Sequence, residues 1–289
     1  MLQDILVTGL VNGGVYALLA VGFSLIFGVA RIVNIAHTAF YMLAAYCFYT
    51  LLVTFNLPVL LAGVIAVAAV TALSVVCYKL VIEPVREHES AVLIATIALA
   101  LVFQELMLVA FGGNFLGIPS AVEGVVTLLG VGIPYQRLLI LVVAAAMLIA
   151  TWLVLYRTRL GLAIRATAND LEVASLMGMN VGRVAMATVA ISVALASIAG
   201  VVVAPVFVVD PLMWLAPLVT MLAIVVLGGL GSLKGSLIGA LIIGYVEAIT
   251  VFALPAGAFL KGAVALSIMV AVLLIRPDGL FGVAFEEEQ

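Results

Sequence analysis

Arg157 to Arg183, RTRLGLAIRATANDLEVASLMGMNVGR, is the longest polar interruption in a chain that is otherwise almost entirely apolar. It holds four arginines, Arg157, Arg159, Arg165 and Arg183. A short helix is written inside it, over 169–178. Asn169 is placed to cap that helix, and Glu172 three residues on completes a capping box. Asp170 and Glu172 fall in the first turn, where the helix dipole favours negative charge. Gly178 is placed to end it. Leu171, Ala174, Ser175 and Gly178 recur at helical spacing, so one face is small and smooth. A helix of two turns is not stable alone in water. It needs a surface, which is either its own protein or a cytoplasmic partner docking on the small face.

Outward from this stretch the chain is 67% hydrophobic and 9% charged, with a mean hydropathy of +1.45. A soluble domain of 289 residues has no way to hide that much apolar surface. Lipid solvates it instead, which predicts an all-α, polytopic transmembrane bundle over the whole chain, 1–289, as a single domain. Apolar runs lie at 5–29, 38–55, 58–78, 91–111, 138–156, 184–206, 215–230, 236–254 and 262–275. A helix of about 20 residues crosses a bilayer, so the second, seventh and ninth runs are short. They are expected to be tilted, broken or re-entrant, giving eight to nine spans. The N-terminus lacks a basic leader and a cleavage site, so the first run is expected to stay as a span. Cys47 and Cys77 each sit in an apolar run and read as packing residues.

Charge placement sets the orientation. With the N-terminus outside and nine alternating runs, Arg31, Lys79, Arg86, Arg157, Arg159, Arg165, Arg183, Lys234 and Arg276 fall in the cytoplasm. Only Arg137 and Lys261 fall outside. The 157–183 loop and the C-terminal tail are then cytoplasmic. The loop 112–136, with its acid Glu123, is an ordered external cap. A faint internal repeat relates 27–46 to 227–245: each reads turn, then apolar run, then tyrosine, as in transporters built from repeats. Glycines such as Gly9, Gly13, Gly235, Gly239 and Gly244 predict closely approaching helices.

Motifs for chemistry are sparse. The run GGLGSLKG at 228–235 has neither the preceding strand nor the lysine spacing of a phosphate loop, and reads as a tight turn. His37 and His88, the only histidines, show no metal spacing. No nucleophile elbow is written, and no nucleic-acid signature. The polar residues inside or beside apolar runs are Asn12, Asn34, His37, Gln104, Glu105 and Glu247. A charge at mid-span costs about 2.5–3.5 kcal/mol on insertion scales, so such residues face the bundle interior or a water-filled path. Glu105 and Glu247 lie at similar depths in their runs, nearer the outside. They either line a path or reach headgroups and neighbouring helices.

Four stretches together resemble a known family. They are NGGVYALLAVGFSLIFGVARIVNIAHTAFYMLAAY at 12–46, EPVR at 83–86 with ATIALALVFQ at 95–104, GLAIRATANDLEVASLMGMNVGR at 161–183, and GGLGSLKGSLIGALIIGYVEA at 228–248 with IRPDGLFG at 275–282. They are similar to the integral-membrane permeases of ABC importers for branched-chain amino acids, in the shorter, LivH-type subunit. Where that family often writes Gly and then an acidic or small residue after its histidine, this chain has Thr38 and Ala39, so no role for an acid carries over there. The resemblance implies a bacterial inner-membrane subunit paired with a longer, LivM-type permease. It implies two ATPase subunits beneath, which bind ATP and Mg, and an external substrate-binding protein that delivers leucine, isoleucine or valine. The chain itself would hold no cofactor and perform no chemistry. The 169–178 helix would be the coupling helix, with Arg165, Asn169, Asp170, Glu172, Ala174 and Gly178 at the ATPase. The buried polar residues named above would line the path.

Other readings are a permease for another amino acid, a short amide or urea, and an ion-coupled secondary transporter. The latter needs intramembrane acids with an ion partner, and Glu105 and Glu247 show none in the sequence. A channel is the remaining rival, and nothing resembles a selectivity filter. The topology is directly testable. In a background lacking Cys47 and Cys77, a cysteine at Gly113 should react with an impermeant reagent added outside. One at Asn180 should react only after the membrane is opened. Labelling of both from one side would mean that the alternation fails between them.

Overall fold

A helix that is apolar on every side must be surrounded by protein or by lipid. α1 (Leu2–Ala30) is surrounded by protein: of all the long helices it is the most buried. The computed structural model describes residues 2–120, 122, 124–128, 131–277 and 279–281. Around α1 stand α2 (His37–Tyr49), which runs on through a wide turn at Thr50–Thr54, and α3 (Val59–Cys77), which continues through further turns to Val85. α4 (Glu89–Phe111) follows, then a hairpin of β1 (Val125–Leu128) and β2 (Val131–Pro134), then α5 (Tyr135–Arg157). Two short helices, α6 (Arg159–Asn169) and α7 (Leu171–Leu176), lead to α8 (Val181–Val203). α9 (Leu215–Gly228), α10 (Leu233–Ala253) and α11 (Gly257–Ile275) complete the bundle. Among the described residues, eight helices are long and apolar enough to cross a membrane, and α9, at 14 residues, is a ninth, shorter apolar helix. The protein is a polytopic helical membrane protein. The ninth apolar run is not short, because α11 begins at Gly257 and reaches 19 residues.

The helix ends sort into two groups. At one end Gly28 lies beside Gly231 and Ala168, Gly182 beside Glu83, and Leu280 N–H donates to the Leu227 carbonyl at 2.9 Å. That end gathers the α1 exit, the α3–α4 corner, the 157–183 stretch and the α9–α10 turn. At the other, Leu116 and Val209 exchange backbone hydrogen bonds of 3.0 Å, and the Arg137 guanidinium reaches Thr8 Oγ1 at 3.5 Å. The nine basic residues assigned to one side by sequence belong to the first group of ends, and Arg137 and Lys261 to the second. Glu123 and the tail beyond Phe281 lie outside the described residues. The run at 228–235 is a turn, with Gly229 and Gly231 at positive φ and the Ser232 hydroxyl capping α10 through Gly235 N–H.

Two helices start inside the bundle. Residues 31–36 climb non-helically from the end of α1 to His37, whose Nε2 is 3.2 Å from the Leu19 carbonyl. Since α1 ends at Ala30, α2 begins about 16 Å short of that end at 1.5 Å per residue. The loop after α8 likewise descends before α9 begins. Trp214, the residue before α9, donates its indole N–H to Gln104 Oε1 at 3.0 Å, in a helix that ends at Phe111. These are the broken elements that the short second and seventh runs imply. The two stretches of the suspected repeat differ: residues 229–232 turn tightly, whereas 31–36 rise into the bundle. Cys47 and Cys77 are unpaired; Cys77 is buried and Cys47 half-buried.

α10 is the principal neighbour of α1, and small residues set their separation. A Cβ on Gly244 would stand 2.5 Å from Gly13 N, and one on Gly13 would stand 3.2 Å from Leu241 Cα. Without a hydrophobic force between helices in lipid, this close backbone approach is what holds the pair. Gly244→Val should therefore force α1 and α10 apart and cost about 1–3 kcal/mol. The measurement is the midpoint of thermal unfolding in detergent; an unchanged midpoint would show that the seam carries no stability.

Candidate functional site

Thr8, Asn12 and Tyr16 stand four residues apart on α1 and so form one polar stripe along a helix that is otherwise apolar. They line a cavity of about 750 Å³ that enters the bundle from the end carrying Arg137 and Lys261. Thr220 of α9, Glu247 of α10 and Tyr41 of α2 contribute to its inner wall, and Asp210 lies in the loop before α9. Glu247 is 1% exposed. Its carboxylate accepts the Tyr16 hydroxyl at 2.7 Å and the Thr220 hydroxyl at 3.5 Å. Asp210 is tied back by its own backbone, accepting Leu212 N–H at 2.9 Å.

The cavity takes two of the six candidate path residues, Asn12 and Glu247. Asn34 and His37 are buried elsewhere and build the start of α2. The Asn34 carbonyl accepts His37 N–H at 3.2 Å. A carbonyl only accepts, so the contact of His37 Nε2 with the Leu19 carbonyl places the ring proton on Nε2. Ser192 of α8 donates to the Gly22 carbonyl at 2.6 Å and sits 3.4 Å from His37 Nδ1, binding α1, α2 and α8 at mid-depth. Gln104 is occupied as the acceptor for Trp214. Glu105 lies on the exposed face of α4 and receives a 3.4 Å contact from Gln104. The similar depth of Glu105 and Glu247 therefore hides opposite placements, one outward and one inward. Tyr16, Thr220, Asp210, Arg137 and Lys261 belong to the cavity although none was singled out as a path residue. The four-residue spacing of Thr8, Asn12 and Tyr16 was the available signal.

The 157–183 stretch folds into two helices rather than one. Thr158 caps α6 by accepting Gly161 N–H at 3.0 Å. At Gly161 there is no room for a Cβ, which would strike the Val154 and Leu155 carbonyls at the α5–α6 corner. Asn169 ends α6 instead of capping the next helix. The cap is Asp170, extended at φ −151°, whose carboxylate accepts Val173 N–H at 2.9 Å. With Asp170 as the cap, Glu172 falls one residue short of the capping-box position. Gly178, at φ 82°, ends α7 as expected: its N–H bonds to Ser175 and Met179 N–H to Ala174, the paired bonds of a Schellman stop. Ala174 is 2% exposed and rests on the protein itself, whereas Leu171, Ser175 and Gly178 of the same face are exposed. The outward surface consists of Leu171, Val173, Leu176 and Met177, with Leu176 85% and Met177 78% exposed. Arg165 is exposed and stacks over the Tyr156 ring at 4.7 Å. Asn169 and Glu172 are exposed beside the same surface.

The chain is thus a multi-pass helical membrane protein with a cavity entering from one end and a helical knob at the other. Residues 5–273 match the family model described as branched-chain amino acid transport system / permease component, and the chain belongs to that family. It is 31% identical to the high-affinity branched-chain amino acid transport system permease protein BraD of Pseudomonas aeruginosa, over 96% of this chain and 94% of that protein. It is 29% identical to the permease protein LivH of Escherichia coli strain K12, over 95% and 93%. A probable LivH of Methanocaldococcus jannaschii is 28% identical over 98% and 93%. Among solved structures, a chain of PsaBC from Streptococcus pneumoniae in complex with Fab superposes with a TM-score of 0.55 at 16% identity, covering 95% of this chain and 92% of that one. That likeness is one of fold.

Removing the α7 cap tests the local assignment. Asp170→Ala should cost the helix about 1 kcal/mol and speed amide exchange at 171–176, with bundle exchange unchanged. Asn169→Ala should have no such effect. The reverse pattern would restore Asn169 as the cap.

Proposed function

We propose that this chain is the membrane-spanning permease subunit of an ATP-binding-cassette importer for branched-chain amino acids. The observation that carries the reading is full-length similarity to permeases of branched-chain amino acid transport, combined with a cavity that enters the bundle at the end opposite α6 and α7. In this reading Asn12 and Glu247 line the path, and an external binding protein delivers leucine, isoleucine or valine to the cavity mouth. A second, longer LivM-type permease pairs with this one in the bacterial inner membrane. Two ATPase subunits dock beneath and bind ATP and Mg; this chain binds no cofactor and catalyses no reaction. The N-terminus is outside and the C-terminus cytoplasmic, a reading supported by the nine-to-two split of basic residues between the two ends. Transport proceeds by alternation of outward- and inward-open states, biased by closure of the ATPases.

α7 is the coupling helix of this proposal, and the burial of Ala174 redefines its docking face. Leu176, Met177 and Val173 are apolar, exposed and outside the apolar spans, and an ATPase groove is the surface that would cover them. Arg165, Asn169, Asp170 and Glu172 form the polar rim, while Gly178 stops the helix so that Leu176 and Met177 project at its tip.

The deciding experiment is co-expression with the candidate partners, purification from membranes and reconstitution into proteoliposomes. Leucine uptake should require the binding protein and ATP, and should survive sodium and proton ionophores. Uptake that continues without ATP and stops with ionophores would place the chain among ion-coupled carriers. Leu176→Arg should leave insertion and folding intact and sharply reduce ATPase co-purification. Full recovery of the complex with this variant would remove α7 as the docking surface.

A further inference from the structure

We infer that Tyr16, Thr220 and Glu247 form an ammonium-recognition site, so that this chain itself selects cargo bearing a primary ammonium group on an aliphatic body. The inference rests on the permease reading above and adds a selectivity exercised without the binding protein.

Glu247 is buried, and two neutral hydroxyl groups approach its carboxylate, Tyr16 at 2.7 Å and Thr220 at 3.5 Å. Each hydroxyl has one hydrogen and two lone pairs. A carboxylate can only accept, so the Tyr16 hydrogen is committed to Glu247, and the Thr220 hydrogen to that carboxylate or to the Tyr16 oxygen beside it. Tyr16 and Thr220 also line the cavity, and what their oxygens can offer it is lone pairs alone. The wall is therefore an acceptor surface with the Glu247 carboxyl group behind it, in surroundings of low dielectric where a cation that reaches it interacts strongly. A positively charged N–H donor satisfies both features. A hydroxyl satisfies one, and an anion neither. Asn12, one turn from Tyr16 on the same stripe, adds an amide to this part of the cavity.

The rest of the lining fixes the body of the ligand. Val15, Ile140, Val203, Val219 and Leu266 surround the polar wall with branched apolar side chains. An alkyl group is stabilised there by about 0.8 kcal/mol for each CH₂ removed from water. Toward the mouth the cavity carries Arg137 and Lys261, with Asp210 held by Leu212 N–H. Arg137 reaches Thr8, about 12 Å along α1 from the level of Tyr16, so a carboxylate one carbon from the ammonium points toward those two positive charges across the open part of the cavity without touching them. An aliphatic α-amino acid matches the polar wall and the apolar lining, and turns its carboxylate toward the mouth.

The test uses the assembled permease–ATPase complex in detergent without binding protein. Ligand binding is read as a shift in thermal unfolding and titrated for affinity. The probes are leucine, 2-hydroxy-4-methylpentanoate, which replaces the ammonium by a hydroxyl, and 3-methylbutylamine, which lacks the carboxylate. Leucine and the amine should stabilise the complex, and the hydroxy acid should not. Glu247→Gln presents an amide N–H₂ in place of one carboxylate oxygen and reverses one of the two hydroxyls. It should weaken leucine by about tenfold or more, the scale of a hydrogen bond to a charged group. Tyr16→Phe should also weaken it, and carries the test alone should Glu247→Gln fail to assemble. Equal stabilisation by leucine and the hydroxy acid, unchanged affinity in an assembled variant, or no leucine-dependent shift at all would overturn the inference. If binding-protein-dependent, ATP-driven uptake persists in any of those cases, the importer reading stands while the site fails. If uptake is absent too, both fail.

Discussion

Backbone N–H and C=O groups have no partner in hydrocarbon, so non-helical chain at membrane depth must be enclosed by protein or line a water-filled space. This chain contains two such segments, and much of its architecture follows from enclosing them. Residues 31–36 rise into the bundle before α2 begins, and the loop after α8 descends before α9 begins. The first is enclosed by α1 and α8. There the Leu19 carbonyl meets His37, and Ser192 bridges to Gly22, at a level where α1 presents its backbone through a glycine. An α1 with bulky side chains all round would hold α2 and α10 away and leave those polar groups stranded. The burial of α1 and its small residues are thus one requirement seen from two sides.

The second segment is enclosed differently. Val206, Phe207, Val208, Asp210 and Met213, all before α9, line the cavity. The cavity exists because α9 starts late: a full-length helix there would fill the space that the loop leaves open. Trp214 fixes the starting level by its hydrogen bond to Gln104. Gln104 therefore shapes the cavity from outside it, through the position of α9, and Glu247 shapes it from behind its wall. Polar residues in the spans serve two ends, closing the backbone account where helices break and giving the cavity its chemistry.

The bundle was legible in the sequence because hydropathy and charge placement are properties of whole segments, and they survive a mistaken boundary. The short second and seventh runs announced the internal helix starts. Facing was harder. Glu105 and Glu247 have similar depths and identical chemistry, but the first points outward from α4 and the second into the bundle. Helices that are apolar on both faces give no moment from which to choose, and small-residue contacts such as Gly13–Gly244 and polar pairs such as Tyr16–Glu247 orient them. The α7 cap failed for a related reason. Asn169 and Asp170 are both good caps, and the choice fell to Asp170 because α6, opened by Thr158, runs on to occupy Asn169. Ala174 looked like a docking contact because small residues permit close approach; the approach is to the chain's own bundle.

α8 joins these parts. At Val181 it follows the Schellman stop of α7, with the Asn180 side chain accepting Arg183 N–H at 3.0 Å. At mid-depth its Ser192 clamps α1 beside His37, and at its far end Val203 lines the cavity. Its 23 residues form one unbroken helix of about 34 Å. The buried Ala174 ties α7 to the bundle, whereas Leu176 and Met177 leave its tip uncovered. The helix that follows that tip is continuous, and its other end forms part of the cavity wall. The mid-depth contact on that helix consists of a serine hydroxyl on a helix carbonyl and a histidine edge 3.4 Å away. Such a contact is specific enough to define one arrangement. It is also weak, at about 0.5–1.5 kcal/mol net for a neutral hydrogen bond.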